Sequence, residues 1–382
     1  MNRDLILVAI SLFAWGFGES AFLAFQPLYL QQLGADPIQI GGILGAFGIA
    51  TALAHIPAGY LADRFGRRPI LWSAWGIGVI STWMMAFANN LIGFTIAMLL
   101  YGLTMFVIAP LNSYITTARG NWSVGRALTF VSATFHAGAI VGPIIGGAIG
   151  DNFGFRYIYI LAGCLFLASF VTIIFIRPQP VEVKTETNSS KNLFLNSRYL
   201  VFLGIFFLAS VAMYLPQPLS PNYLQNQKEL SLIQIGQLYS ISEFGIVVLS
   251  LVLGLMNARF GYLIGQLGVG LFAFLLWRGN IFPIYVLAYF LLGGYRASRS
   301  LATAYISFII NGNNLGLAYG ISETIAASAT VIAPIIAGAL YSQNPSSIYA
   351  TSVIFISCSI IINALVTSTR PFKKIHESPG TI

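Results

Sequence analysis

Seven ionisable side chains fall inside long apolar runs of this chain: Glu19, His55, His136, Glu243, Arg296, Arg299 and Glu323. A charge in such a setting is costly and usually faces a polar path or an opposite charge. The chemistry open to these groups is proton exchange, binding of a charged solute, or mutual neutralisation. Their spacing adds detail, since Trp15, Glu19, Phe22 and Gln26 follow one another at steps of four, three and four, which is one stripe of a helix. Arg296, Arg299 and Thr303 form a second stripe, Thr129, Ser132 and His136 a third, and Tyr319, Glu323 and Thr330 a fourth. Aromatic rings beside a charge suit an amphipathic ligand, although ordinary helix packing also accounts for the rings. For His55 and His136 the plainer reading is a neutral imidazole hydrogen-bonded inside a helix bundle.

At ~1.5 Å rise per residue, Glu243 and Arg296 lie about 20 Å, and Glu323 and Arg299 about 12–15 Å, from the basic ends of their runs. These four belong to the second half of the chain and can neutralise one another in pairs. Glu19 then has no cation close by. It can take a proton, bind a cation, meet a basic substrate, or reach across to Arg296 as a structural pair.

The elements that position these groups must lie in lipid. Apolar residues make up 57% of the chain and charged ones only 8%, with a mean hydropathy of +0.80, against roughly 25% charged in a soluble domain. Runs at about 5–30, 38–61, 70–89, 91–115, 127–149, 157–176, 199–219, 231–257, 262–277, 281–309, 315–341 and 347–369 each reach the roughly 20 residues that a bilayer crossing needs. Lipid offers the backbone no hydrogen bonds, so the twelve must be helices. The expected fold class is therefore an all-α membrane protein. The third, sixth, ninth and twelfth spans carry no ionisable group in their interiors.

The net charge of +8 does not indicate nucleic acid, because its distribution follows the membrane. With Met1 on the cytoplasmic side, that face collects Arg3, Arg64, Arg67, Arg68, Arg119, Arg126, Arg177, Arg259 and the basic residues of 178–198 and 370–374, whereas only Arg156, Lys228 and Arg278 fall outside. Both termini are thus expected in the cytoplasm, and no cleavable signal peptide is expected because the first apolar run is long and leads straight into the bundle. Cys164 and Cys358 fall within spans and read as packing residues, not a disulfide framework. No phosphate-binding loop is present, which excludes nucleotide-driven pumping as the reading. No cofactor or metal site is expected.

The chain repeats itself. Gln39-Ile40-Gly41 matches Gln234-Ile235-Gly236 at an offset of 195, and Gly59-Tyr-Leu-Ala-Asp63-Arg64-Phe-Gly66 matches Gly254-Leu-Met-Asn-Ala258-Arg259-Phe-Gly261 at the same offset. Further on the offset is 191, with Gly102 on Gly293, Tyr114 on Tyr305 and Pro143 on Pro334. Two copies of six spans share one orientation and are related by an axis along the membrane normal. Residues 1–177 and 199–370 are the two expected bundles, 178–198 a polar cytoplasmic linker and 371–382 a cytoplasmic tail.

The segment Gly59 to Arg68, followed by Pro69, resembles the signature hairpin of the major facilitator superfamily, Gly-x-Leu-x-Asp-Arg-x-Gly-Arg-Arg. The run Gly138-Ala-Ile-Val-Gly142-Pro143-Ile-Ile-Gly146-Gly147 is similar to the fifth-helix element of that superfamily's proton-coupled exporters, although small residues four apart also serve plain helix packing. Where the family's fourth helix usually carries an arginine, Tyr101-Gly102-Leu103-Thr104-Met105-Phe106 carries no charge. The resemblance implies twelve spans in two pseudo-symmetric six-helix bundles, the third, sixth, ninth and twelfth outermost, and a central cavity lined by the first, fourth, seventh and tenth. It also implies a hairpin, Gly59, Asp63, Arg64, Gly66, Arg67 and Arg68, that latches the halves; the plainer alternative is a solvated basic loop.

The expected function is alternating-access transport, as proton-coupled efflux of a small amphipathic or drug-like compound across the plasma (inner) membrane. The alternatives are uptake of a polar or anionic solute by symport or uniport, and a non-transporting sensor or assembly factor on the same fold. Trp15, Glu19, Gln26, His136, Glu243, Arg296, Arg299 and Glu323 are the candidate cavity and coupling residues. The expected partners are the bilayer, a small-molecule substrate and protons, with no nucleic acid and a monomeric chain.

Overall fold

A computed structural model describes residues 2–179, 197–307, 309–310 and 315–368, with the side chains of 55–65, 315–317 and 366–368 outside that description. His55, Gly59, Asp63 and Arg64, most of the linker and the tail therefore lie outside the described side chains or residues. Among the described residues every regular element is helical. In chain order they are α1 (Arg3–Leu23), α2 (Gln26–Gln32), α3 (Pro37–Phe65), α4 (Arg67–Phe87), α5 (Leu91–Gly102), a 3-10 segment (Leu103–Val107), α6 (Ile108–Ala118), α7 (Val124–Phe153) and α8 (Phe155–Ile174). The second half follows as α9 (Ser197–Tyr214), α10 (Ser220–Lys228), α11 (Leu232–Gly254), α12 (Ala258–Arg278), α13 (Phe282–Leu292), α14 (Gly294–Ile306), α15 (Leu315–Gln343) and α16 (Ser347–Ser368).

Local chemistry sets the boundaries. The Asn90 side chain accepts from Gly93 N at 2.7 Å and starts α5. Ser231 and Gln234 form a reciprocal capping box that starts α11. Single glycines turn the chain between α3 and α4 and between α7 and α8; Gly66 at φ 84° and Gly154 at φ 93° occupy a region that side chains with a Cβ rarely adopt.

Among the described residues, eleven helical runs are long and apolar enough to cross a membrane. The twelfth crossing, expected at 281–309, is made by α13 and α14 together, because the helix breaks at Gly293. A Cβ on Gly293 would run into the backbone of Gly245, and one on Gly294 would come within 3.1 Å of the Gly265 carbonyl oxygen, so close approach to α11 and α12 decides this site. Gly102, its equivalent in the first half, sits at the corresponding break, where α5 passes into the 3-10 segment.

The duplication is visible as reciprocal contacts. A Cβ on Gly41 would meet the Pro334 carbonyl, and a Cβ on its equivalent, Gly236, would meet the carbonyl of Pro143, the equivalent of Pro334. Gly147 on Leu232 is matched by Gly338 on Pro37 in the same way. Where the axis passes, equivalent residues touch each other: Asn226 Nδ2 donates to Gln31 Oε1 at 3.1 Å across an offset of 195. Two six-helix bundles thus face one another through α7 against α11 and α3 against α15. Lipid offers no hydrophobic drive for such seams, so close packing of small residues must hold them.

The first bundle is filled by rings. Trp15 stacks on Phe166 with centroids 4.1 Å apart and planes at 8°, and Trp75 lies 5.1 Å from Trp15. Trp75 Nε1 donates to Ser11 and Ser169 at 2.9 and 2.8 Å, which satisfies the indole deep in the bundle.

Candidate functional site

α1 is seated by the glycine stripe of α7. Gly138 lies against the backbone of Phe13 and Phe17, Gly142 against Phe17, Ser20 and Ala21, and Gly146 against Ala21, each so closely that a Cβ would overlap. Pro143 and Gly147 serve a second neighbour, since they meet Gly236 and Leu232 of α11 in the other bundle. One short motif therefore fixes α1 within its own half and also forms the seam between the halves.

With α1 held in this rotation, Glu19 is 8% exposed and stands beside Trp15 and Tyr101. The Tyr101 hydroxyl faces the Glu19 carboxyl without closing a well-formed hydrogen bond. Arg296 and Glu243 of the second half are the charged groups that act on Glu19 across the seam, yet neither forms an ion pair with it. Gln26 does not continue the Glu19 stripe as expected, because α1 ends at Leu23 and Gln26 begins α2. Its side chain is buried, and its amide nitrogen has no hydrogen-bond partner among the described residues.

The pairing of the remaining charges differs from the expectation. Arg299 Nη2 donates to Glu323 Oε2 at 2.6 Å, a pair the sequence allowed. Glu243, however, meets His136 across the halves, Oε2 to Nδ1 at 3.0 Å, and not an arginine. His136 is thus hydrogen-bonded across the two bundles and not within one. Arg296 is exposed and has no ion-pair partner among the described residues. Tyr295 and Tyr214 lie near the two arginines, their rings 5.8 Å apart.

The seam is closed at one end. Asp151, in the last turn of α7, accepts from Leu232 N at 3.0 Å and Ile233 N at 2.9 Å, so a carboxylate of the first half caps the N-terminus of α11 in the second. Asn222 Nδ2 adds a bond to Gln31 Oε1 at 2.6 Å at the same end. Towards the opposite end, where Arg3 starts α1, Thr129 and Ser132 on the His136 stripe are exposed, and the Arg299 and Glu323 side chains are 28% and 57% exposed. A cleft between the bundles therefore opens at the Arg3 end and stops near Glu19.

Of the hairpin, Gly66, Arg67 and Arg68 are described with their side chains. Arg67 Nη1 donates to Thr117 at 2.7 Å and Gln179 at 3.0 Å. Arg68 Nη2 donates to the Ile174 carbonyl at 3.2 Å, and its guanidinium lies 4.1 Å from the Trp72 ring centroid.

Sequence reasoning missed Tyr101, Tyr214, Tyr295 and Asp151. The uncharged fourth span carried the only signal for Tyr101. For Asp151 the signal was its place at the end of the glycine motif, opposite a capping box.

The sequence profile of the Major Facilitator Superfamily matches residues 8–262 and 202–381. The multi-drug resistance efflux pump PmrA of Streptococcus pneumoniae is 30% identical over 217 residues, covering 55% of this chain and 54% of that protein. The multidrug resistance protein MdtG of Escherichia coli is 35% identical over 192 residues, 48% of this chain and 47% of its own. The alignments thus span about half the length of these curated relatives. Among solved structures, the nucleoside transporter NupG superposes with a TM-score of 0.80 at 16% identity, covering 96% of this chain and 98% of that one. A bacterial homologue of the human lysosomal transporter Spinster, inward-facing and occupied, gives 0.78 at 15%, covering 99% of each chain.

Proposed function

Because the chain belongs to the Major Facilitator Superfamily, we propose that it is a secondary active transporter that exports a small amphipathic compound by alternating access, driven by protons. The observation that carries this reading is Glu19: a buried carboxyl at the blind end of a cleft between two bundles, backed by Trp15 and Tyr101 and with no ion pair among the described residues. A charge left unpaired in a closed, dry site is unfavourable, so the carboxyl needs either a proton or a cationic guest whenever the cleft shuts. Exchange of one for the other couples the two fluxes. The names of PmrA and MdtG support export as the direction.

In this reading the two halves of the repeat, 1–177 and 199–370, rock about the seam at α7 and α11 and at α3 and α15. The Arg3 end faces the cytoplasm, since basic residues gather there, so the conformation described is open inward. The membrane is the bacterial inner membrane and the chain acts as a monomer. Arg296, exposed and without an ion-pair partner among the described residues, favours one further reading, uptake of an anionic solute.

The test is flux in proteoliposomes under an imposed proton gradient, with amphipathic dyes and anionic solutes as the panel. Gradient-driven movement of a dye away from the cytoplasmic face is expected. Movement of anions alone, in the opposite direction, would replace the first reading with the second.

A further inference from the structure

The charges of the cleft do not cancel locally. Glu243 is held by His136 and Glu323 by Arg299. Among the described residues, Glu19 on α1 and Arg296 on α14 remain: opposite in sign, on opposite bundles, within electrostatic reach, and without an ion pair to each other or to any other group. Trp15 and Tyr101 back Glu19 from within the first bundle, where both are buried, and the half-buried Tyr214 ring lies 5.8 Å from Tyr295 beside Arg296.

Two separated, unpaired charges of opposite sign cost less when one guest satisfies both. A purely cationic guest would leave Arg296 alone, and a purely anionic guest would leave Glu19 alone. We propose that the substrate class is a zwitterion with a flat apolar body, its ammonium on Glu19, its carboxylate or other oxyanion on Arg296, and its body between them against the half-buried Tyr214 ring. This rests on the transport reading above and names its substrate. It also explains why the cleft keeps one free charge on each bundle: a guest that bridges them links the halves that must move together. The guanidinium suits an oxyanion because its planar donors meet two oxygens at once, and an ammonium suits the Glu19 carboxylate as a charge-assisted donor.

The experiment is equilibrium binding to the purified full chain in detergent, with no gradient. Failure of proton coupling and failure of this assignment are therefore separate results. The probes are para-(aminomethyl)benzoate and its biphenyl homologue, each compared with the matching methyl-capped amine and the matching methyl-capped acid. At least one zwitterion is expected to bind about tenfold or more tightly than both of its single-charge analogues. Glu19→Gln should abolish its advantage over the acid, and Arg296→Gln its advantage over the amine. The wild-type ranking decides the matter even if a variant fails to fold. Equal binding of amine and zwitterion, equal binding of acid and zwitterion, unchanged ranking in both folded variants, or no binding by any of the probes would each overturn the proposal.

Discussion

Replacing Asp151 with alanine should loosen the closed end of the seam without unfolding any helix. The carboxylate accepts from Leu232 N at 3.0 Å and from Ile233 N at 2.9 Å, two of the amides that a helix N-terminus leaves unpaired. Hydrogen bonds to a charged acceptor contribute about 1.5–3 kcal/mol when shielded, and a charge at a helix terminus about 0.3–1 kcal/mol when exposed. Asp151 is exposed, so about 1–2 kcal/mol for the whole contact is a reasonable magnitude. Because α11 keeps its own capping box from Ser231 and Gln234, the loss falls on the contact between bundles. A change of that size moves a two-state ratio by roughly 5- to 30-fold. Spin labels at Tyr157 and Gln227, exposed residues of opposite bundles at this end, would report it as a longer distance in double electron–electron resonance. Asp151→Asn retains one acceptor and should fall between wild type and alanine. An unchanged distance distribution in a folded Asp151→Ala protein would refute the claim that this carboxylate holds the end shut.

Other consequences can be checked alongside. Gly142→Ala places a methyl group against Ser20, Phe17 and Ala21, an overpacking cost of about 1–3 kcal/mol that should lower the melting temperature and reduce folded yield; unaltered melting would contradict the packing described. Trp15→Ala removes the ring stacked at 4.1 Å on Phe166 and should cost about 3–5 kcal/mol in thermal or denaturant unfolding, whereas a loss below that range would mean the cluster collapses around the gap. Glu323→Gln should change stability by less than about 1 kcal/mol, since the pair with Arg299 is half open to water, and a larger loss would show a buried role. A single cysteine at Ser189 should react with an impermeant thiol reagent only after permeabilisation, and labelling of intact cells would invert the assigned orientation.

Much of the fold was legible because lipid leaves the backbone few choices. Runs of membrane length had to be helices, and the matches of Gly41 with Gly236 and Pro143 with Pro334 foretold a repeat that the reciprocal contacts display. The break at Gly293 was less legible, since a glycine in a helix gives no sign of the backbones that will crowd it. Pairing within one half could be read from depth along the helices, as for Arg299 with Glu323. Pairing between halves could not, because helical period carries no information on how two bundles dock; His136 with Glu243 and Asp151 with the start of α11 are of that kind. Tyr101 escaped notice because an aromatic ring in an apolar run has the same appearance whether it packs or faces a carboxyl.

The most direct test of the central claim compares wild type with Glu19→Gln in proteoliposomes, measuring substrate movement under an imposed proton gradient and substrate exchange without one. Glutamine cannot release a proton, so gradient-driven accumulation should vanish while substrate binding, measured separately, remains detectable. Full dependence on the proton gradient in a folded Glu19→Gln protein would contradict the account and move the coupling role to another cleft group, with His136 and Glu243 the first to examine.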